Sequence, residues 1–244
     1  MDNVILKNLS AENFSSFADG IDFTTIADTG KKEYVENTFE CGDTTFNKVS
    51  FLYGANGSGK TYFCKILREI QRMLNWSPLT AMNNAQLLSL PEFKGIDKEI
   101  STFAFDIKYK DKPVNFSIDI LINEFNYHYE FAIQGKKVVH ELLTKKYQRT
   151  EKLLERTSPS YKDITLRSKL KGFEAAKQTV KEEALCLPVA ALLNNQLAQT
   201  IVDAIKSIQV VSMTAARLKP ADTKESFSDE RLEKYVNILK KADP

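Results

Sequence analysis

Residues 49–74 decide the fold, and they read VSFLYGANGSGKTYFCKILREIQRML. The first five are mostly apolar β-formers and have the length of a buried strand. A glycine-rich turn follows, and beyond it apolar side chains recur at helical spacing, which predicts an amphipathic helix. The apolar positions of that helix are Phe63, Ile66, Leu67, Ile70 and Leu74. Pro78 marks the end of the helix or lies just beyond it.

The glycine-rich turn fits the P-loop pattern G-x-x-x-x-G-K-[ST]. It reads Gly54-Ala55-Asn56-Gly57-Ser58-Gly59-Lys60-Thr61. Its glycines let the backbone fold closely around a phosphate group, and the following helix contributes unpaired N–H groups and the positive end of its dipole. Lys60 supplies a charge for the β- and γ-phosphate oxygens, and the Thr61 hydroxyl is the expected magnesium ligand. These residues predict that the chain binds a nucleoside triphosphate, and we take this to be ATP with Mg²⁺.

The rest of the chain predicts three parts. Residues 1–75 hold an N-terminal hairpin, the P-loop strand and the P-loop helix. In residues 101–148, polar and apolar side chains roughly alternate between short connections, which is typical of an antiparallel meander. Residues 165–244 read as a helical subdomain. Its predicted elements are helices near 168–184, 189–207 and 230–241, and a short strand over 208–213.

The composition is that of an ordinary soluble globular protein, with 43% hydrophobic and 27% charged residues. The net charge of +2 does not require nucleic acid or a membrane surface as a partner. A local basic patch would still allow the chain to bind nucleic acid. The N-terminus lacks the pattern of a signal peptide, and no stretch approaches the roughly 18 apolar residues of a membrane span. We therefore expect a cytoplasmic protein without a membrane partner. The cysteines Cys41, Cys64 and Cys186 have no metal-ligand spacing.

The catalytic carboxylate of an ATPase has no clear candidate. Asp106 and Glu124 follow apolar residues, but both fall in the predicted meander and close its hairpins. Asp203 lies on a predicted helix, and His128 and His140 read as ordinary strand residues. The sequence therefore leaves the catalytic residues unknown.

The opening LKNLSAENFSSFADGIDF resembles the first β-hairpin of ABC-type and SMC-like ATPase heads, and the P-loop GANGSGKT is similar to that class. More narrowly, the chain resembles ATPases of bacterial abortive-infection (phage-defence) systems, with RecF and the OLD nucleases as more distant relatives. The narrower likeness rests on LLSLPEF, YHYEFAIQ…VVHELL and KLLERTSPSYKDI. The resemblance implies an α/β P-loop NTPase fold with an antiparallel β-subdomain and a helical subdomain. By analogy, Asn13, Phe14 and Ser16 lie where such heads approach the nucleotide.

In such heads, two copies sandwich ATP, and their closure drives an effector. The resemblance thus implies a homodimer or a partner chain that carries the rest of the ATPase, and a nuclease or toxin effector. It covers only the first half of a head, because a signature helix, a second acidic motif and a switch histidine are not visible. This indicates a fragment, a natural truncation or one half of a split ATPase. We expect this chain alone to bind ATP and to hydrolyse it barely above background.

Two alternatives remain. The first is a nucleotide-sensing scaffold that does not hydrolyse ATP and recruits a nuclease or toxin. The second is a small-molecule or nucleotide kinase, which the meander after the P-loop helix disfavours because such kinases continue with parallel βα units.

Overall fold

The computed structural model describes residues 3–28, 30, 35–82 and 97–210. Within them are nine strands and three α-helices. The strands are β1 (Val4–Glu12), β2 (Ile21–Thr24), β3 (Thr38–Cys41), β4 (Thr44–Asn47), β5 (Val114–Ile122), β6 (Phe125–Gln134), β7 (Lys137–Lys146), β8 (Thr150–Arg156) and β9 (Ile164–Leu166). The helices are α1 (Lys60–Met82), α2 (Cys186–Leu192) and α3 (Gln196–Ser207). None of the helices in these ranges is long and apolar enough to cross a membrane.

Seven strands form one antiparallel sheet in the order β2-β1-β5-β6-β7-β8-β9. Two-residue turns connect β5 to β6 and β6 to β7, and each contains a residue with positive φ, Asn123 at 55° and Gly135 at 60°. Such turns match the twist of the strands that they connect. Strands β3 and β4 form a separate hairpin. The predicted meander over 101–148 is thus the central part of a larger sheet.

One face of the sheet is apolar and buried, because its side chains alternate along each strand. On β5, Phe116 and Ile118 lie opposite Phe131 and Tyr129 of β6, and all four are buried. The other face is polar, with side chains such as Ser117 and Asp119 of β5 and His128 and Glu130 of β6. This clean alternation fixes the register of the meander.

A buried carboxylate attaches the helical segment to the sheet. Glu141 of β7 is fully buried and accepts hydrogen bonds from the Tyr129 hydroxyl at 2.9 Å and the Cys186 amide at 2.7 Å. It also accepts from the Leu187 amide at 3.0 Å, so the carboxylate satisfies amides in the first turn of α2. Burial raises the pKa of Glu141, while these donors act in the opposite direction.

Helix α1 packs against β1, α2 and α3. Its Gln71 amide donates to the carbonyls of Ile205 and Ile208 at the end of α3, at 3.0 and 2.7 Å. The Ser77 hydroxyl of α1 accepts from the Leu185 amide at 2.9 Å. These bonds place the P-loop helix firmly within the packed unit formed by Met1–Gln209.

Several predicted elements differ from the structure. The strand predicted over 49–53 is not formed, and Pro78 lies inside α1 rather than at its end. The stretch 101–109 contains only a short 3-10 turn, whereas the charged segment after the meander contains β8. Charged side chains hid β8, because four of its seven residues are charged and its buried apolar residues are the adjacent pair Leu153 and Leu154, which do not alternate.

The helical region also differs. The helix predicted over 189–207 is two helices, and the break between them holds Asn194 with φ at 64°. The helix predicted over 168–184 is a run of 3-10 turns over Ser168–Thr179. The strand predicted over 208–213 is not formed at 208–210, and its remaining residues and the helix predicted over 230–241 lie outside the described residues. The boundaries 1–75, 101–148 and 165–244 stay a prediction.

Candidate nucleotide-binding site

The P-loop turn lies directly before α1, which begins at Lys60. Gly57 and Gly59 have φ values of 82° and 91°, in the region that favours glycine. The Ser58 amide donates to the Ala55 carbonyl at 3.2 Å, which closes the turn. The turn therefore has a curved backbone that continues into the N-terminus of a long helix, where unpaired N–H groups attract anions.

The Lys60 side chain folds back over this turn. Its ammonium donates to the carbonyls of Gly54 and Ala55 at 2.6 and 2.7 Å, and its Nζ lies 3.4 Å from the Ser58 hydroxyl oxygen. The cation is thus held at the mouth of the turn by neutral acceptors. A phosphate oxygen is a stronger acceptor for this ammonium, because its negative charge adds a Coulomb attraction that a neutral carbonyl lacks.

The first hairpin supports the turn from one side. A Cβ atom on Gly59 would lie 3.0 Å from Cε1 of Phe17 and 3.6 Å from Cβ of Ser16. Gly59 is buried, while Gly54 to Ser58 are exposed. A side chain at Gly59 would therefore require the Phe17 ring to shift, in addition to the strain of the positive φ.

The three hairpin residues predicted near the nucleotide occupy different places. Ser16 lies beside the P-loop, as described above. Asn13 is buried with φ at 53°, and its side chain bonds only backbone groups. Those groups are the carbonyls of Tyr109, Lys112 and Pro113 and the amide of Phe103. Phe14 packs edge-on against Phe116 in the core, 5.3 Å between centroids. Nucleotide contact by these residues stays a prediction, and Phe17, which the sequence analysis missed, is the hairpin residue closest to Gly59.

Residues 49–189, more than half of the chain, match a family described as "AAA domain, putative AbiEii toxin, Type IV TA system". The chain belongs to this AAA-domain family. The match begins at the predicted strand and contains the whole P-loop, so this is a nucleotide-binding, ATPase-type domain that resembles those of abortive-infection systems. No curated protein and no solved structure gives a significant match.

Thr61 of the AAA domain is exposed on the first turn of α1, one residue beyond Lys60. A hydroxyl there suits Mg²⁺, which usually takes few protein ligands and keeps several waters beside substrate phosphates. The described ranges contain no group of three or more His, Cys, Asp or Glu side chains that could hold a metal. Thr61 as a ligand of a nucleotide-bound magnesium ion stays a prediction.

The carboxylates considered in the sequence analysis lie in turns or on the surface of a helix. Asp106 accepts from the Lys108 amide at 3.0 Å and caps a 3-10 turn, and this hydrogen bond lowers its pKa. Glu124 lies in the turn between β5 and β6, and Asp203 is exposed on α3.

The two histidines belong to a hydrogen-bonded chain on the polar face of the sheet. The His128 ring lies between Asp119, at 2.5 Å, and Glu130, at 3.0 Å, and Glu130 is also 3.0 Å from His140. Hydrogen bonds to Asp119 and Glu130 raise the pKa of His128 to about 9. The hydrogen bond from His128 lowers the pKa of Glu130 to about 2. This hydrogen-bond network contains none of the P-loop residues, and it links strands β5, β6 and β7.

Proposed function

We propose that this chain is the ATP-binding part of an ABC-type ATPase head in a bacterial phage-defence-type system of the cytoplasm. The observation that carries this proposal is the Lys60 ammonium, held over a glycine turn at the start of α1. Membership of the AAA-domain family supports it. A cation, free backbone N–H groups and a helix N-terminus together form a site for a triphosphate.

Each residue type in the turn has a distinct role in this proposal. Backbone N–H groups of Gly54, Ala55, Asn56, Gly57 and Gly59 surround the phosphates, and the Ser58 amide joins them by exchanging the Ala55 carbonyl for a phosphate oxygen. Lys60 exchanges its carbonyl acceptors for β- and γ-phosphate oxygens, and Thr61 holds Mg²⁺. Mg²⁺ held there would supply positive charge that offsets the negative charge developing during phosphoryl transfer.

Turnover also needs groups on the other side of the γ-phosphate. In this proposal they come from a second copy of the head or from a partner chain, and closure of the assembly acts on a nuclease or toxin effector. The exposed run 49–53 supports such an interaction, because Phe51 is 87% exposed directly before the P-loop. Large apolar exposure of this kind is typical of an interaction site.

A non-hydrolysing sensor is the second candidate function. Such a chain would bind ATP and recruit a nuclease or toxin without turnover. Of the carboxylates considered, Asp106 caps a 3-10 turn and Glu124 lies in the turn between β5 and β6, which favours this candidate for the chain on its own.

Calorimetry and phosphate release test both candidates with three proteins: the wild type, Lys60→Ala and the exposed control Lys162→Ala. We expect the wild type and the control to bind Mg²⁺-ATP equally and Lys60→Ala to bind at least about tenfold more weakly, a loss of about 1.4 kcal/mol or more. Equal affinity of all three proteins would contradict the P-loop assignment. We expect phosphate release by the wild type to stay near background. Robust release that Lys60→Ala abolishes would instead show that the chain already holds a catalytic carboxylate.

A further inference from the structure

A cavity of about 540 Å³ lies beside the first turns of α1. One wall is the helix face that carries Tyr62, Lys65 and Glu69, and the opposite wall contains residues 14–16 and 98–102. The volume falls within the range of about 300–1,000 Å³ that is usual for small-molecule sites. Ser16 belongs both to this wall and to the contact with Gly59, so the cavity lies next to the P-loop.

The helix wall offers an aromatic surface close to the triphosphate site. Tyr62 directly follows Thr61 and is 37% exposed. The Lys65 ammonium lies 4.2 Å from the centroid of the Tyr62 ring and has no acidic partner within the described ranges. This cation covers one face of the ring. Because Tyr62 also lines the cavity, its ring is accessible from there, and an aromatic ring stacks well with nucleobases of any sequence.

The opposite wall supplies polar groups of both kinds. Ser101 and Thr102 bring hydroxyl groups that either donate or accept. The Ser15 amide donates to the Ser101 carbonyl at 3.1 Å, and the Ala104 amide donates to the Ser15 carbonyl at 3.1 Å. These hydrogen bonds fix the hairpin turn to the segment after residue 97, so this wall of the cavity is held in place by backbone contacts.

We propose that this cavity takes the nucleoside part of the bound triphosphate, with the base stacked on Tyr62 and polar groups of the cavity bonding the ribose and the base edge. The proposal rests on the proposed function, since phosphates at Lys60 and Thr61 place the nucleoside at the adjoining helix turns. Tyr62 and Lys65 lie about 3 and 7.5 Å along α1 from Lys60, because each helical residue rises about 1.5 Å. Tyr62 is therefore a binding residue that distinguishes a nucleotide from its phosphate chain.

The test compares Mg²⁺-ATP with Mg²⁺-tripolyphosphate as ligands in calorimetry. The proteins are the wild type, Tyr62→Ala, Tyr62→Phe and the control Tyr161→Ala, whose tyrosine is also 37% exposed but lies in the segment before β9. We expect Tyr62→Ala to bind ATP about tenfold more weakly while its affinity for tripolyphosphate is unchanged. Tyr62→Phe keeps the stacking surface and should bind both ligands like the wild type, as should Tyr161→Ala.

The outcomes separate this inference from the proposed function. If the wild type binds neither ligand, the P-loop assignment fails and the nucleoside site fails with it. In the second case the wild type binds both ligands. If Tyr62→Ala, while folded, then has an unchanged affinity for ATP, or loses affinity for ATP and tripolyphosphate equally, the P-loop assignment stands and the nucleoside site is overturned. The tripolyphosphate titration also reveals a variant that has lost its fold, because such a protein would bind neither ligand.

Discussion

Two apolar stretches of this chain, residues 49–53 and strand β5, have similar sequences but different structures. Strand β5 lies between β1 and β6, and its Phe116 is 1% exposed. Residues 49–53 have no strand partner within the described ranges, and Phe51 is 87% exposed. Both stretches are rich in β-formers, so local propensity does not account for the difference. The comparison shows that a strand depends on neighbours that satisfy its backbone groups and cover its side chains.

The same comparison applies to the P-loop, which has packed neighbours on one side and an exposed stretch on the other. Behind the turn, α1 and the first hairpin hold Gly59 in place. Before the turn, the chain from 49 to 53 lies against water. We expect this stretch to become a strand when a neighbouring strand pairs with it, as the proposed second head or partner chain would allow.

The largest expected effect comes from a matched pair of phenylalanines, one in each stretch. Phe116→Ala should lower the free energy of unfolding by about 3–5 kcal/mol, because it leaves a cavity beside Phe14 and Phe131. Phe51→Ala should change it by less than about 0.5 kcal/mol, since the ring is exposed. Urea denaturation measures both values. A loss of more than about 2 kcal/mol for Phe51→Ala would show that the 49–53 run is packed after all.

The next effect concerns the point where the exposed stretch meets the packed unit. Gly57→Ala and Gly59→Ala both introduce a side chain at positive φ, at a cost of about 1–2 kcal/mol in the free energy of unfolding. Gly59→Ala should lower the free energy of unfolding by at least about 1 kcal/mol more than Gly57→Ala does. The added Cβ at position 59 would also meet Phe17, whereas a Cβ at position 57 has nothing within 4 Å.

A double-mutant cycle checks this contact. In a Phe17→Ala background the extra cost of Gly59→Ala should disappear, and the coupling energy would report the contact between hairpin and P-loop. Equal costs for Gly57→Ala and Gly59→Ala in the wild-type background would contradict the contact.

The smallest effect concerns the polar face of the sheet, whose hydrogen-bonded groups have no counterpart at 49–53. The pKa of His128 is raised from about 6.5 in the unfolded chain to about 9 in the folded one. A raised pKa stabilises the fold fully below about pH 6.5, and this stabilisation is lost as the pH rises through about 9. Because the side chain is 35% exposed, we expect only about 1 kcal/mol.

Urea denaturation between pH 6 and pH 10 measures this contribution against His128→Gln. The wild type should lose about 1 kcal/mol more than the variant over this interval. If both proteins show the same pH dependence, the ion pairs of His128 with Asp119 and Glu130 do not stabilise the sheet.

The P-loop and its helix were predictable because they are contiguous in sequence. Glycine spacing defines the turn, and the period of apolar side chains from Phe63 to Leu74 defines the helix without reference to distant residues. Strands β5, β6 and β7 were predictable for the same reason, since short turns join neighbours in the chain. The family match over residues 49–189 agrees with what these segments implied.

Contacts between distant residues were decided by the tertiary structure alone. Phe17 reaches Gly59 across 42 residues of sequence, and Glu141 reaches the amide of Cys186. Strand β8 pairs with β7 although its charged side chains resemble a loop. Conversely, the run 49–53 has the composition of a strand and remains unpaired among the described residues. Composition and spacing determine what a segment is able to form, but burial and backbone pairing depend on neighbours that only the folded chain, or its partner, brings into place.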